Sequence, residues 1–402
     1  MEEKDILERI VTVGDTKIIL LVIDGLGGLP REVNGPTELE YASTPNLDRL
    51  AAEGITGLSI PIGHGIAPGS GPGHMALFGY DPVKNEIGRG VLEALGIGFP
   101  LLPGDIAARG NFCSVDESMV ITDRRAGRIS TEKCKELVDM LKNIKLEGVE
   151  IFIEPVQDYR FALILRGDGL DPRLTETDPQ KVGLIPLKVK ALSPEAERTA
   201  EIANQWIKTA REIIKDQRPA NMVTLRGWAR IPDIPSFSEL YHLRAAAIAV
   251  YPMYRGLARL VGMTVIPDCT DLEGQIRALE KNWNNYDFFF IHHKYTDSRG
   301  EDGDFEAKAK EIEKVDAIIP RIIRLCPDVL VVTGDHSTPS VWKAHSWHPV
   351  PTLLWSPGLT RRDESKAFGE TECLKGALGQ FFAKDLMTLI LSHARRTIKF
   401  GA

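Results

Sequence analysis

Cysteine is scarce and scattered: Cys113, Cys134, Cys269, Cys326 and Cys373 are the five in a chain of 402 residues. Odd in number and widely spaced, they form neither a disulfide framework nor a CxxC metal pattern, which fits a reducing, cytoplasmic setting. Long apolar runs are missing too. Ile18 to Ile23 is typical of those present, far below the ~18 residues a bilayer span needs, so no membrane partner is expected. The start, Met-Glu-Glu-Lys-Asp, has no basic region ahead of an apolar stretch, and no secretory leader is expected. Basic charge is not in excess either. Lys and Arg number 49 against 56 Asp and Glu, a formal charge of -7, which gives no bulk attraction for nucleic acid. There is no internal repeat and no low-complexity tract. What remains is a globular composition, 43% hydrophobic and 26% charged, at a length that suggests two or three domains of ~150 residues each.

The grammar of both ends is α/β. Thr16 to Ile23 is a β-branched apolar run that stops at Asp24-Gly25-Leu26-Gly27-Gly28, the pattern of a parallel strand buried on both faces with a loop at its carboxyl end. Ser43 or Thr44 caps a helix carrying Leu47, Leu50 and Ala51. Gly57 to Pro61 reads as a short strand running into a segment rich in glycine and proline, Gly63 to His74, after which Met75, Ala76 and Leu77 begin a helical stretch. Tyr286 to His292, Asp328 to Thr333 and Pro351 to Trp355 read as further strands, and Phe305 to Ile323 as an amphipathic helix. Polar residues gather where these strands end, which is where open α/β sheets place ligands. The middle is α+β: a hairpin of Glu150 to Glu154 and Phe161 to Arg166, and a long helix from Pro194 to Lys215. Two further stretches follow, Met222 to Arg226 and Ala245 to Tyr251, the latter leading into a helix from Arg255 to Val261. These divide the chain into a core of 1–106 plus 261–402 and an inserted domain of 107–260, placed to act as a lid or substrate domain.

Five of the nine histidines, His292, His293, His336, His345 and His348, fall in one window with Asp297, Glu301, Asp302, Asp304 and Asp335. Imidazole nitrogen with carboxylate oxygen suits Mn²⁺ or Zn²⁺. Taken alone, Asp335-His336 reads as a helix cap and its hydrogen-bonded neighbour; beside the other ligands the metal reading wins. Asp297 and Glu301 stand at i,i+4, so a helix there would put both carboxylates on one face, while GEDGD by itself reads as a solvated turn. Asp24 is either a third acid at the same sheet edge or a turn residue. Ser70, ahead of a helix start, is either an ordinary N-cap or a hydroxyl placed for phosphoryl chemistry by the positive end of the helix. Arg109, Arg124, Arg125, Arg128, Arg226, Arg255 and Arg259 lie in or beside small-residue turns. Singly they read as surface groups; together, in an acidic protein, they lean toward an anionic substrate.

The stretches Leu21 to Gly27, Thr44 to Asp48 and Pro68 to His74 resemble the archaeal-type cofactor-independent phosphoglycerate mutases. Thr296-Asp297, Gly300 to Phe305, Thr333 to Pro339, His345-Ser346, Asp123 to Arg128 and Tyr254-Arg255-Gly256 continue the match over nearly the whole chain. That family belongs to the alkaline phosphatase superfamily of two-metal phosphoryl-transfer enzymes. The resemblance implies a mostly parallel, alkaline-phosphatase-like sheet sandwiched by helices, with a smaller α+β insert. It implies interconversion of 2- and 3-phosphoglycerate through a phosphoserine at Ser70, with no 2,3-bisphosphoglycerate, and a homo-oligomer is compatible with it. One metal would be held by Asp24, Ser70, Asp335 and His336, the other by Asp297, Glu301 and His345. Mn²⁺ ranks first, with Zn²⁺, Mg²⁺ or Co²⁺ as alternatives. Lys294 would contact the transferring phosphoryl group, and Arg109, Asp123, Arg124, Arg128, Arg226 and Arg255 would bind substrate. Two positions depart from the family pattern: Glu301 replaces a histidine, and His348 stands where an aspartate is expected. A metal-dependent phosphatase, a phosphotransferase to an alcohol such as homoserine, and a sensor without turnover are the rival readings.

Overall fold

The computed structural model describes residues 3–85, 87–267 and 269–401. In chain order the strands are β1 (Ile18–Ile23), β2 (Ile55–Ile60), β3 (Ile106–Val115), β4 (Ile121–Asp123), β5 (Glu150–Gln157), β6 (Arg160–Arg166), β7 (Met222–Ala229), β8 (Ala245–Ala249), β9 (Thr264–Val265), β10 (Phe288–His293), β11 (Val329–Thr333), β12 (Val350–Trp355) and β13 (Gly379–Phe382). Two compact units result, Met1–Glu86 with Ile234–Ala402, and Ile87–Asp233.

In the first unit eight strands among the described residues form one sheet, in the order β13-β2-β12-β11-β1-β10-β8-β9. β1 pairs in parallel with both β10 and β11, β10 with β8, and β8 with β9, while β12 runs antiparallel to β11 and β2. All six residues of β1 are wholly buried, as its unbroken apolar run requires. Ile19, Leu21 and Ile23 pack with Leu47, Ile276, Ile312, Val315 and Ile319 from three helices on one face. Helices Pro252–Leu260 and Leu386–His393 lie against β8 and β11. This is the α/β, largely parallel architecture expected from the residues. Among the described residues no helix is long and apolar enough to cross a membrane.

The second unit is an antiparallel sheet of β4-β3-β6-β5, with β7 also on β3, and its core gathers Phe112, Phe161, Leu163, Trp206 and Leu225. Its limits differ from 107–260 at both ends. Helix Arg89–Gly96 packs on β3 and β7, so the unit starts earlier. Ala245–Ala249 is small and apolar and adds to β10 in the main sheet, so β8 and the following helix Pro252–Leu260, with Tyr254, Arg255 and Arg259, belong to the first unit. A third difference is local. The helix after Pro68 starts at Ser70, not Met75, because Pro72 falls in its first turn, where a missing N–H costs nothing.

Candidate active site

The loops leaving β1, β10 and β11 meet at one sheet edge. Asp24 follows β1 directly, Lys294 and Asp297 follow β10, and Asp335-His336 follow β11 after Gly334. Their meeting needs a chain without side-chain bulk at Gly25, whose φ is +62° and where a Cβ would lie 2.7 Å from Thr338 Oγ1 and 2.9 Å from Asp297 Oδ1. Helix Ser70–Leu77 delivers the hydroxyl from the other side. It comes so close that a Cβ on Gly73 would sit 2.3 Å from the Asp335 carbonyl oxygen.

His336 Nε2 lies at the centre, 3.2 Å from Ser70 Oγ, 3.2 Å from Asp24 Oδ1 and 3.3 Å from Asp335 Oδ2. His345 stacks on His336 with ring centroids 3.7 Å apart, and its Nε2 is 3.5 Å from Asp297 Oδ1. Among the described residues two sets of side chains could hold a cation: Asp24, Asp335 and His336, all buried, and Asp297, His336 and His345. The donor chemistry fits. Asp24 Oδ1 and Asp335 Oδ2 are buried without a hydrogen bond, an expensive state for a carboxylate oxygen unless a cation faces it.

The surrounding hydrogen bonds aim these ligands. The Thr338 hydroxyl donates to Asp297 Oδ1 at 2.7 Å, since a carboxylate can only accept; it therefore accepts from His336 Nδ1–H at 2.9 Å, which turns Nε2 inward. His345 Nδ1–H donates to the Pro68 carbonyl at 2.8 Å, so its Nε2 also faces the cluster, and the Ser70 loop is tied to it. Lys294 Nζ bridges the two acids, 3.1 Å from Asp24 Oδ2 and hydrogen-bonded to Asp297 Oδ2. The Tyr254 hydroxyl donates to Asp24 Oδ2, and its ring stacks on His292, 3.7 Å between centroids.

Charge and burial pull against each other here. Burial alone would raise the Asp24 carboxyl, but Lys294, His292 and His336 hold it well below the usual carboxylate range. Asp335 is likewise depressed, burial and Asp24 opposing His336 and His74. Burial opposes a charged His336, yet Asp335 and Asp24 push it up to about 9. Burial dominates at His292 and takes it down to about 4, so that ring is neutral. Burial and Asp24 keep the Tyr254 phenol protonated, far above its ordinary value.

Beneath the loops lies Lys308, which is wholly buried although FEAKAKE reads as a solvated helix start. Its ammonium donates to the Gly27 and Thr338 carbonyls, both at 2.9 Å, and is 3.9 Å from the buried Glu38, whose carboxylate accepts from Leu29 N–H and Ser340 N–H. One cation thus pins the loop carrying Asp24 to the loop carrying His336. Lys308→Met takes the ammonium donor from the Gly27 and Thr338 carbonyls and leaves the buried Glu38 without the charge that faces it, a loss of about 3–5 kcal/mol in a denaturant titration; a loss under 1 kcal/mol would show the ammonium to be dispensable.

Of the residues singled out in the sequence, Asp24, Ser70, Lys294, Asp297, Asp335, His336 and His345 come together. Glu301 does not join the cluster. Helix Tyr295–Asp302 gives it the expected i,i+4 relation to Asp297, but its side chain is 57% exposed and Oε1 is 4.0 Å from His345 Nε2, which puts it at the rim. His348 stacks on Trp347 and bonds Ser346 Oγ through Nδ1, and His293 pairs with Glu311. In the second unit Arg124 is held bidentately by Asp178, and Asp123 caps its own turn by accepting from Arg125 N–H and Gly127 N–H. Arg109 and Arg226 stand directly opposite on β3 and β7, beside Glu93 and Glu176 respectively, and Arg128 is exposed. Arg255 Nε is buried without a hydrogen bond in the first unit. Sequence reasoning missed Thr338, Lys308 and the part played by Tyr254; only the Tyr254-Arg255-Gly256 motif hinted at the last.

A serine hydroxyl set among acids, imidazoles and an ammonium at this sheet edge marks an α/β enzyme of the phosphoryl-transfer kind. Residues 51–221 match the family model described as 2,3-bisphosphoglycerate-independent phosphoglycerate mutase. A relative from Thermotoga neapolitana, named "probable 2,3-bisphosphoglycerate-independent phosphoglycerate mutase", is 52% identical over 100% of both chains. One of the same name from Thermus thermophilus is 50% identical over 99% of each. Among solved structures, the cofactor-independent phosphoglycerate mutase of Thermoplasma acidophilum is 30% identical, with a TM-score of 0.70 over 94% of this chain and 99% of that one. A Pyrococcus horikoshii protein gives a TM-score of 0.84 at 32% identity, over 97% and 100%. The chain belongs to the 2,3-bisphosphoglycerate-independent phosphoglycerate mutase family.

Proposed function

We propose that this protein interconverts 2-phosphoglycerate and 3-phosphoglycerate through a phosphoserine at Ser70. The observation that carries the reading is the Ser70 hydroxyl, 3.2 Å from His336 Nε2, which itself lies 3.2 Å from Asp24 Oδ1 and 3.3 Å from Asp335 Oδ2. Asp24, Asp335 and His336, with Ser70, would hold one divalent cation; Asp297 and His345, with Glu301 at the rim, would hold the other. Mn²⁺ fits this mixed oxygen and nitrogen set, with Zn²⁺, Mg²⁺ and Co²⁺ as the alternatives. Bound cations supply positive charge that lowers the serine pKa and stabilises the charge of the phosphoryl group in transfer.

The chain's own residues account for the rest. The Ser70 Oγ–P bond forms as the bond from phosphorus to the glycerate oxygen breaks, and the proton lost by Ser70 balances the one that oxygen gains. After the glycerate turns, its other hydroxyl takes the phosphoryl group and Ser70 recovers its proton. Lys294, whose charge Asp24 and Asp297 secure against burial, offers N–H groups to the phosphoryl oxygens. The dipole of helix Ser70–Leu77 adds positive potential at the same oxygen. The Ile87–Asp233 unit is the proposed substrate-binding domain, with Arg109, Arg128 and Arg226 as cations for an anionic substrate. Arg124 and Asp123 act there through the turn they hold, and Arg255 is available in the first unit.

Incubation with 3-phosphoglycerate and Mn²⁺, without added 2,3-bisphosphoglycerate, should give 2-phosphoglycerate and no free phosphate. Stoichiometric phosphate release would make the protein a phosphatase instead, and transfer to an added alcohol a phosphotransferase.

A further inference from the structure

Asp24 has two oxygens in very different surroundings. Oδ2 receives the Tyr254 hydroxyl, lies 3.1 Å from Lys294 Nζ and lies 3.3 Å from His292 Nε2. Oδ1 receives no hydrogen bond and faces His336 Nε2 at 3.2 Å. A carboxylate so divided has one oxygen occupied by the protein and one left for a ligand. Tyr254 is the hydroxyl donor of the group on Oδ2, and it is locked in place. The residue is wholly buried, its ring stacks on His292 at 28° between planes, and it lies 4.7 Å from the His74 ring, on the same helix as Ser70.

We propose that Tyr254 is a positioning residue that fixes the rotation of the Asp24 carboxylate, making Asp24 a one-oxygen ligand. This rests on the reading of Asp24 as a cation ligand in the proposed phosphoserine site. A phenol suits the task better than another cation would. It fixes the rotation of the Asp24 carboxylate without adding charge that would compete with a divalent ion, and its rigid ring has only two torsions to restrain.

The test is Tyr254→Phe, which removes one oxygen and keeps the stacking; Lys294 and His292 still face Asp24 Oδ2, and circular dichroism verifies the fold. Titration with Mn²⁺ alone should show affinity about tenfold to 100-fold weaker, the usual cost of losing a group that orients a metal ligand. The kcat should fall by about 10–100-fold with KM for phosphoglycerate within threefold, because no substrate contact is removed. In the Asp24→Asn background the same change should weaken Mn²⁺ binding no further, since the carboxylate it orients is gone. Mn²⁺ affinity and kcat within twofold of the parent, or fully additive losses with Asp24→Asn, overturn the inference. Ser70→Ala, assayed alongside, separates the two ideas: an active Ser70→Ala defeats the phosphoserine reading, whereas an inactive one beside an unaltered Tyr254→Phe defeats only the role of Tyr254.

Discussion

Ser70→Ala should lose at least ~10⁴-fold in mutase turnover, the scale on which removal of a covalent nucleophile is felt when the rest of the site stands. The rest does stand. Asp24, Asp335 and His336 leave their strands independently of the Ser70 oxygen, and His345 is aimed by the Pro68 carbonyl rather than by the serine. The lost oxygen is only part-buried, so stability should change by less than about 0.5 kcal/mol. Mn²⁺ should still bind to the variant. Mass spectrometry should find phosphate on Ser70 in the parent after incubation with phosphoglycerate, and none in Ser70→Ala. Turnover within tenfold of the parent would mean that the phosphoryl group never rests on this hydroxyl.

Chelation of divalent ions should abolish turnover, and it should also leave a less stable protein. An ion present at 100 times its Kd contributes about 2.7 kcal/mol to the folded state, read as a drop in Tm on chelation. The pH behaviour gives a sharper signature. In the metal-free protein Asp335 and Asp24 hold His336 up to about 9, so near neutrality its Nε2 carries a proton where a ligand needs a lone pair. Ion binding should release that proton, and affinity should climb with pH until about 9. The stability of the metal-free fold should run the other way. A histidine raised above its unfolded value near 6.5 contributes fully below that pH and loses its contribution as pH rises toward 9. Calorimetric titrations in buffers of different ionisation enthalpy would measure the proton; none released below pH 8 would remove His336 from the ligand set.

Much of this centre was legible before any coordinates. An apolar run ended by Asp-Gly and another ended by Gly-Asp-His are parallel strands with acids at their carboxyl ends, and parallel pairing alone brings Asp24 and Asp335 together. Ser70 and His345 owed their assignment to the family resemblance more than to local physics, since each also reads as an ordinary loop residue. What stayed hidden has physical causes. Spacing put Glu301 on the face of Asp297 but says nothing of how deeply a helix sits, and this one buries Asp297 while leaving Glu301 at its rim. Lys308 is at i+3 from Phe305 and i−4 from Ile312, on the apolar face, yet lysine is so seldom buried that composition argues for solvent. Tyr254 carries its role in one hydroxyl on an otherwise core-like ring. The domain limits slipped because Ala245–Ala249 is too small and bland to declare which sheet it joins.

The pairing of the central strand sets an order of events during synthesis. Gly25, beside Asp24, is held by an Asp335 oxygen 310 residues further along the chain, and β1 has both its neighbours in the last third of the sequence. A ribosome therefore releases Asp24 and Ser70 long before Asp335 and His336 exist. On the proposed reading of this site, a cation held by these residues would be captured only after Asp335 and His336 have left the exit tunnel, more than three hundred residues after Asp24.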